Sequence, residues 1–308
     1  MKTTLILIKR NIKLFFRDKA LFLTSLITPA ILLVLYATFL GKVYRDSFIA
    51  ILPEGIELSD RLLSALVSGQ MISSILSVSC VTVAFSSNFL SVQDKALGRA
   101  RDLSISPVKG AYLSVAYYTA SLISTLIICL SAVALCLIYV AFAGWYLSIS
   151  DVFMIIFDVI LLVLFATAIS SVVNFFLETQ GQISAVGSMV SSTYGFISGA
   201  YMPISSFGAG LRQLVALLPG THATSLLRRH SLGGVFAELE KGEFPSELTD
   251  TLCDLLDCNL YLRGEMLPAY ASYIMLIGST ALLILIYVTE NSLKRKKKHT
   301  LRIQKPKD

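Results

Sequence analysis

The side chains able to do chemistry are few, and their spacing limits each of them. Serines are abundant in the apolar runs, but His222, His230 and His299 all lie outside those runs. A serine nucleophile needs a base within hydrogen-bond reach, so the pattern does not support an intramembrane hydrolase. His222 and His230 are eight positions apart with no acidic third ligand beside them, which argues against a metal site. Both read as loop residues, His230 within the basic run Arg228-Arg229-His230 and His299 within a basic tail. No G-x-x-x-x-G-K-[ST] motif occurs, and Gly41-Lys42 lacks both the hydroxyl residue and the upstream glycine, so no P-loop nucleotide is expected on this chain. Asp158 is the main acid deep in an apolar run. Buried acids of that kind mark ion or substrate paths, so Asp158 is the candidate for a substrate path. The preferred alternative is that a neighbouring serine satisfies it near the interface. Cys253 and Cys258 share a polar stretch at a spacing unlike a zinc ribbon. A local disulfide is one option if that stretch is extracellular, although an unbroken helix would not bring the two together.

These groups are set in a chain built for lipid. Of 308 residues, 55% are hydrophobic and only 15% charged, against about 25% charged in soluble domains. No basic and aromatic face suggests nucleic acid. Cys80, Cys129 and Cys136 fall inside apolar runs and read as small packing residues. The expected fold is an all-α polytopic membrane protein with six transmembrane helices. The spans fall at about 21–40, 63–90, 111–143, 152–177, 181–200 and 268–290, each near the roughly 20 residues a bilayer requires. Residues 3–19 carry Leu5, Ile8, Ile12, Phe15 and Phe16 on one face with basic residues elsewhere, the pattern of an amphipathic helix lying in the interface. Pro29 is expected to kink the first span, a break that membrane helices tolerate, and Pro53-Glu54-Gly55 reads as a turn. In the fifth span Gly181, Ser184, Gly187, Ser188, Ser191, Gly195, Ser198 and Gly199 form a small-residue stripe, read as a helix-packing seam. Pro203 should end that helix. The apolar stretch after it is too short to span and reads as a re-entrant helix ended by Pro219-Gly220. Residues 203–267 form an external subdomain, and 221–267 are polar and acidic.

Between the second and third spans lies the polar segment 91–110, with Lys95, Arg99, Arg101 and Lys109. Its first half is expected to be helical and to stop before Pro107, because a residue preceding proline avoids the α region. If both termini are inside, the inner segments, including the tail 291–308, hold 18 of the 26 Lys and Arg residues. That is the positive-inside pattern, and it fits an even number of spans. A multi-pass plasma-membrane protein with both termini cytoplasmic is the expectation.

Three segments resemble the permease subunits of type-2 ATP-binding-cassette (ABC) exporters. They are KRNIKLFFRDKALFLTSLITPAILLVLY before and through the first span, DKALGRARDLSISPVKG in the inner segment, and ISGAYMPISSFGAGLRQLVALLPGTHATSLLRR after the fifth span. Asp94 stands where that family often has glutamate, and Arg99-Ala100 replace a threonine-containing pair. The resemblance implies a membrane subunit that moves a drug, antibiotic peptide, lipid or glycan out of the cell. It implies two copies of a partner ATPase holding ATP and Mg, a second permease of the same or homologous sequence, and no cofactor on this chain. It further implies that Asp94, Lys95, Arg99, Arg101, Asp102 and Pro107 belong to the ATPase-coupling loop, and that the fifth span lines a dimer interface. The alternatives are an ion-coupled carrier or channel, and a non-transporting membrane immunity or sensor component.

Overall fold

The structure, a computed structural model, describes residues 2–52, 58–99, 103, 110–242 and 246–303. The turn expected at Pro53-Glu54-Gly55 and the helix stop at Pro107 lie outside these residues. Helix α1 spans Lys2–Arg17, and Asp18 then caps α2 (Lys19–Leu35) by accepting from the Ala20 and Leu21 N–H groups. The first span is longer than expected. Pro29 sits inside α2, a π-helical turn follows at Tyr36–Leu40, and α3 (Gly41–Ile51) continues the helical path. Next come α4 (Asp60–Ala96), α5 (Gly110–Ala143) and α6 (Ile149–Phe176). Ser148, with Asp151 as its reciprocal partner, forms a capping box at the start of α6.

Among the described residues, five helical segments are long and apolar enough to cross a membrane: Lys19–Ala50, Asp60–Ala96, Tyr112–Ala143, Ile149–Phe176 and Ala269–Asn291. The expected fifth span, α7 (Gln180–Ile197), is 18 residues long and too rich in Gly and Ser to join that group. It ends before Pro203, with Gly199 in the left-handed region at φ +75°. The expected re-entrant helix is two short pieces, a 3-10 turn at Ile204–Ser206 and α8 (Ala209–Val215). Pro219 does not end a helix but begins one, at the first turn of α9 (Pro219–Lys241), where its missing N–H costs nothing. α10 (Ser246–Leu255), a hairpin of β1 (Leu260–Leu262) with β2 (Glu265–Leu267), and α11 (Ala269–Ile303) complete the chain.

α4 is the centre of the bundle and packs on α2, α5, α6, α7 and α9. Its buried serines donate mostly to carbonyls in their own preceding turns, as Ser68 and Ser79 do. Asn88 joins three helices: its Nδ2 donates to Ser170 Oγ (2.9 Å) and Ser171 Oγ (2.6 Å), and its Oδ1 accepts from Ser121. Such a belt satisfies polar groups that lipid cannot.

α9 overturns the reading of 221–241 as a polar external stretch. Thr221, His222, Thr224, Ser225, Arg228 and Ser231 are all buried, against α4, α6 and α11. Two glycines make the approach feasible. A Cβ on Gly69 would sit 2.8 Å from the Ser231 carbonyl oxygen, and one on Gly234 would run into that of Tyr146.

Candidate functional site

Asp94, in the half of the segment 91–110 expected to be helical, occupies the last turn of α4 and is fully buried. Its Oδ2 accepts from Tyr117 OH at 2.6 Å and from Arg10 Nη1 at 3.0 Å. Its Oδ1 lies 3.6 Å from Arg99 Nη1. One carboxylate therefore ties α1, α4, α5 and the residues just after α4. Arg10 also donates to the side chain of Asn11. Burial works against the Arg10 charge, but the hydrogen bond and field of Asp94 outweigh it and hold the guanidinium above its ordinary pKa. The face of α1 that meets the bundle is Leu7, Asn11 and Phe15. Leu5 and Phe16, read with Phe15 as one stripe, are exposed, so α1 presents separate faces to the bundle and to its surroundings.

Lys95 turns inward rather than toward a partner. Its Nζ donates to the carbonyls of Asn174 (2.8 Å), Phe175 (3.0 Å) and Leu177 (3.1 Å), where α6 ends. A cation there answers both the orphan carbonyls and the helix dipole. Lys95→Met is expected to cost about 1–2 kcal/mol and to speed amide exchange in the last turn of α6, read by exchange mass spectrometry. An unchanged last turn would show that the cap is dispensable. The chain turns away after α4 at Gly98, whose φ of +77° favours glycine. Arg99 follows and is exposed. Arg101, Asp102 and Pro107 lie outside the described residues.

The small-residue stripe is split. Ser184, Gly187, Ser188 and Ser191 face α2 across an open groove of about 1030 Å³, whose other wall includes Ile27, Ile31, Leu35 and Phe39. Gly181 is exposed at the start of α7. Gly195 is covered by the Tyr201 ring, Ser198 is the buried C-cap, and Gly199 forms the turn. The last three hold the turn after α7 rather than lining the groove.

Asp158 has no serine partner among the described residues. His230 Nδ1 lies 2.6 Å from its Oδ2, and Tyr273 OH donates to its Oδ1 at 3.0 Å. The cluster joins α6, α9 and α11, and it corrects both the serine reading of Asp158 and the loop reading of His230. His222 likewise stands on α9, with Nδ1 2.9 Å from Ser272 Oγ. A second polar fastening uses Arg228 of α9. Its Nη1 donates to Leu256 O (2.8 Å) and Asp257 Oδ2 (3.3 Å), and its Nη2 donates to Gly199 O. Asp257 also accepts from the Ile204 and Ser205 N–H groups.

The site therefore has one end where α1 is locked to the bundle beside an exposed arginine, and a lateral groove between the first span and α7. Residues 2–230 match the family described as ABC-2 type transporter. The chain belongs to the ABC-2 transporter family. No curated protein matches it. An ABC-2 chain is the membrane permease component of its transporter, which makes this a multi-pass membrane protein and implies an ABC ATPase as partner. Within this permease the sequence singled out Asp94, Lys95 and Arg99, of which Asp94 and Arg99 lie together while Lys95 turns to the end of α6. It missed Arg10, Tyr117, Tyr273 and the Arg228–Asp257 pair. The available signal for Arg10 was Asp94 itself, since an acid in the final turn of a buried apolar helix requires a cation.

Proposed function

We propose that this permease is the membrane-spanning subunit of an ATP-driven exporter that moves a hydrophobic or amphipathic substrate, such as a drug, peptide, lipid or glycan, out of the cell. Two ABC ATPases, holding ATP and Mg, would power it from the cytosolic side, and a second permease of the same or homologous sequence would complete it. The observation that carries the reading is the joint made by Asp94 with Arg10, Tyr117 and Arg99. A partner docked at Arg99 and at the inner segment would move α1 and α4 as one body. Such a partner shifts the equilibrium only if it contacts the ATP-closed and open states unequally.

In this reading both termini are cytosolic in the plasma membrane, and α7 with the two short helical pieces after it makes the fifth crossing and re-entrant segment. The groove between α2 and α7 faces the second permease, because its Gly and Ser wall admits close helix approach. The hairpin at 260–267 lies outside the cell. A second reading, an ion-coupled carrier, draws on the Asp158–His230–Tyr273 cluster, since ionisable groups within spans mark proton and ion paths.

The test is affinity purification of the full chain in mild detergent with an ATPase assay on the eluate, for wild type and for Arg99→Glu with Arg101→Glu. An ATPase that copurifies with the wild type and is lost in the variant is the expected result. Transport that follows an ion gradient without ATP, with no ATPase in the eluate, would replace this reading with the carrier.

A further inference from the structure

α10 ends in a Schellman motif. Asp257 N–H donates to Asp254 O at 3.2 Å, Cys258 N–H donates to Cys253 O at 2.9 Å, and Asp257 is left-handed at φ 52°. In that motif the residues at the two ends of the longer hydrogen bond bring their side chains together. Here both are cysteines, and both thiols are free. The obstacle of an unbroken helix is therefore absent, because the helix stops between them. Cys253 is half-buried and reachable, and Cys258 is buried. The neighbouring Cys258 pulls the Cys253 thiol below its ordinary pKa, whereas Cys253 and burial push Cys258 well up. The reachable thiol is thus the better thiolate, the order that exchange with an external oxidant needs.

We propose that Cys253 and Cys258 form a dithiol–disulfide site that closes when the loop meets an oxidising exterior, the oxidant being a protein or low-molecular-weight disulfide. The Cys253 thiolate attacks one sulfur of the oxidant, its S–S bond breaks, and one thiolate leaves. The Cys258 thiol gives up its proton and attacks Cys253 Sγ, and the second oxidant thiolate leaves. The cysteines lose two electrons and two protons, and the oxidant becomes two thiols. The bond would pin the turn that presents Asp257 to Arg228 and to the Ile204 and Ser205 N–H groups. The site would set how firmly the segment after α7 is held. The exterior placement rests on the topology proposed above.

Both cysteines lie on one tryptic peptide, Gly242–Arg263, with no internal Lys or Arg. Cells expressing the full chain are quenched with a permeant alkylating reagent and digested without reductant. The expected peptide carries no alkyl group and is two hydrogens lighter than the dithiol. After reduction it takes up two groups. A doubly alkylated peptide before reduction overturns the site. An impermeant maleimide applied to intact cells after reduction separates the two readings. If it labels Cys253 in cells whose peptide was never linked, the topology stands and the disulfide is wrong. If it cannot reach Cys253 even after reduction, the exterior placement fails, and the proposal with it. In the purified protein, amide exchange at Ile204 and Ser205 should be about tenfold faster when reduced. Equal exchange in both forms would overturn the role given to the bond. Cys258→Ser, which keeps the turn and cannot link, should exchange like the reduced form.

Discussion

Arg228→Met is expected to destabilise the protein by about 3–5 kcal/mol, because it strands a buried carboxylate and two buried carbonyls at once. The Arg228 side chain is 1% exposed and that of Asp257 is 6% exposed, so water cannot take over. Asp257→Asn keeps an acceptor for one of the Ile204 and Ser205 N–H groups, which bond to different oxygens, and tolerates the left-handed backbone. The double variant Arg228→Met with Asp257→Asn should therefore recover part of the loss. The pH dependence has a definite sign. Burial raises the Asp257 pKa, and Arg228 opposes that rise, so removing Arg228 raises it further. A carboxyl raised in the folded state makes stability fall as pH rises between its unfolded and folded values. The single variant should be relatively more stable near about pH 5 than near about pH 8, and the double variant should lose that difference. Thermal unfolding in detergent at the two pH values reads both effects. A pH-independent loss in the single variant would mean that Asp257 is not the stranded charge.

Asp94→Asn is the second large effect expected. Asn keeps an acceptor for Tyr117 but removes the charge that binds Arg10 and Arg99. Arg10 is 30% exposed and can reach water, so the cost should be about 2–3 kcal/mol, below that of breaking a fully buried pair. Arg10→Met should cost less than Asp94→Ala, which also strands the Tyr117 hydroxyl. The informative readout is coupling. α1 should become accessible to protease near Arg10, and ATPase copurifying with the permease should hydrolyse ATP without responding to it. A variant that unfolds at a lower temperature yet keeps α1 protected would limit Asp94 to stability.

The lipid-facing plan was legible because long apolar runs have few other uses. α5 and α6 begin and end within a few residues of expectation for that reason. α9 was not legible. It buries Thr221, His222, Thr224, Ser225, Arg228 and Ser231, and hydropathy counts each as a surface residue. Their partners, including Ser77, Ser272 and Asp257, stand on segments distant in the chain, so no local pattern could announce them. Gly234 is needed for the close approach to Tyr146, which no local pattern announces either. The residues proposed for coupling were half legible. The charges of Asp94 and Lys95 were seen, but composition cannot say that both turn inward. The seam was legible as a stripe, but its break at Gly195 depends on Tyr201 folding back over α7.

α4 runs 37 residues without interruption, about 55 Å of straight helix in a hydrocarbon layer of about 30 Å. Its C-terminal end is fastened through Asp94 and Lys95, while Gly69 and Ser77 meet α9 much further along. A stiff rod held this way is a lever. Tilting it by about 5° at the fastened end carries the far end about 5 Å, roughly the width of one helical turn. A small rotation imposed at the Asp94 end would thus arrive at the opposite end as a displacement of about 5 Å.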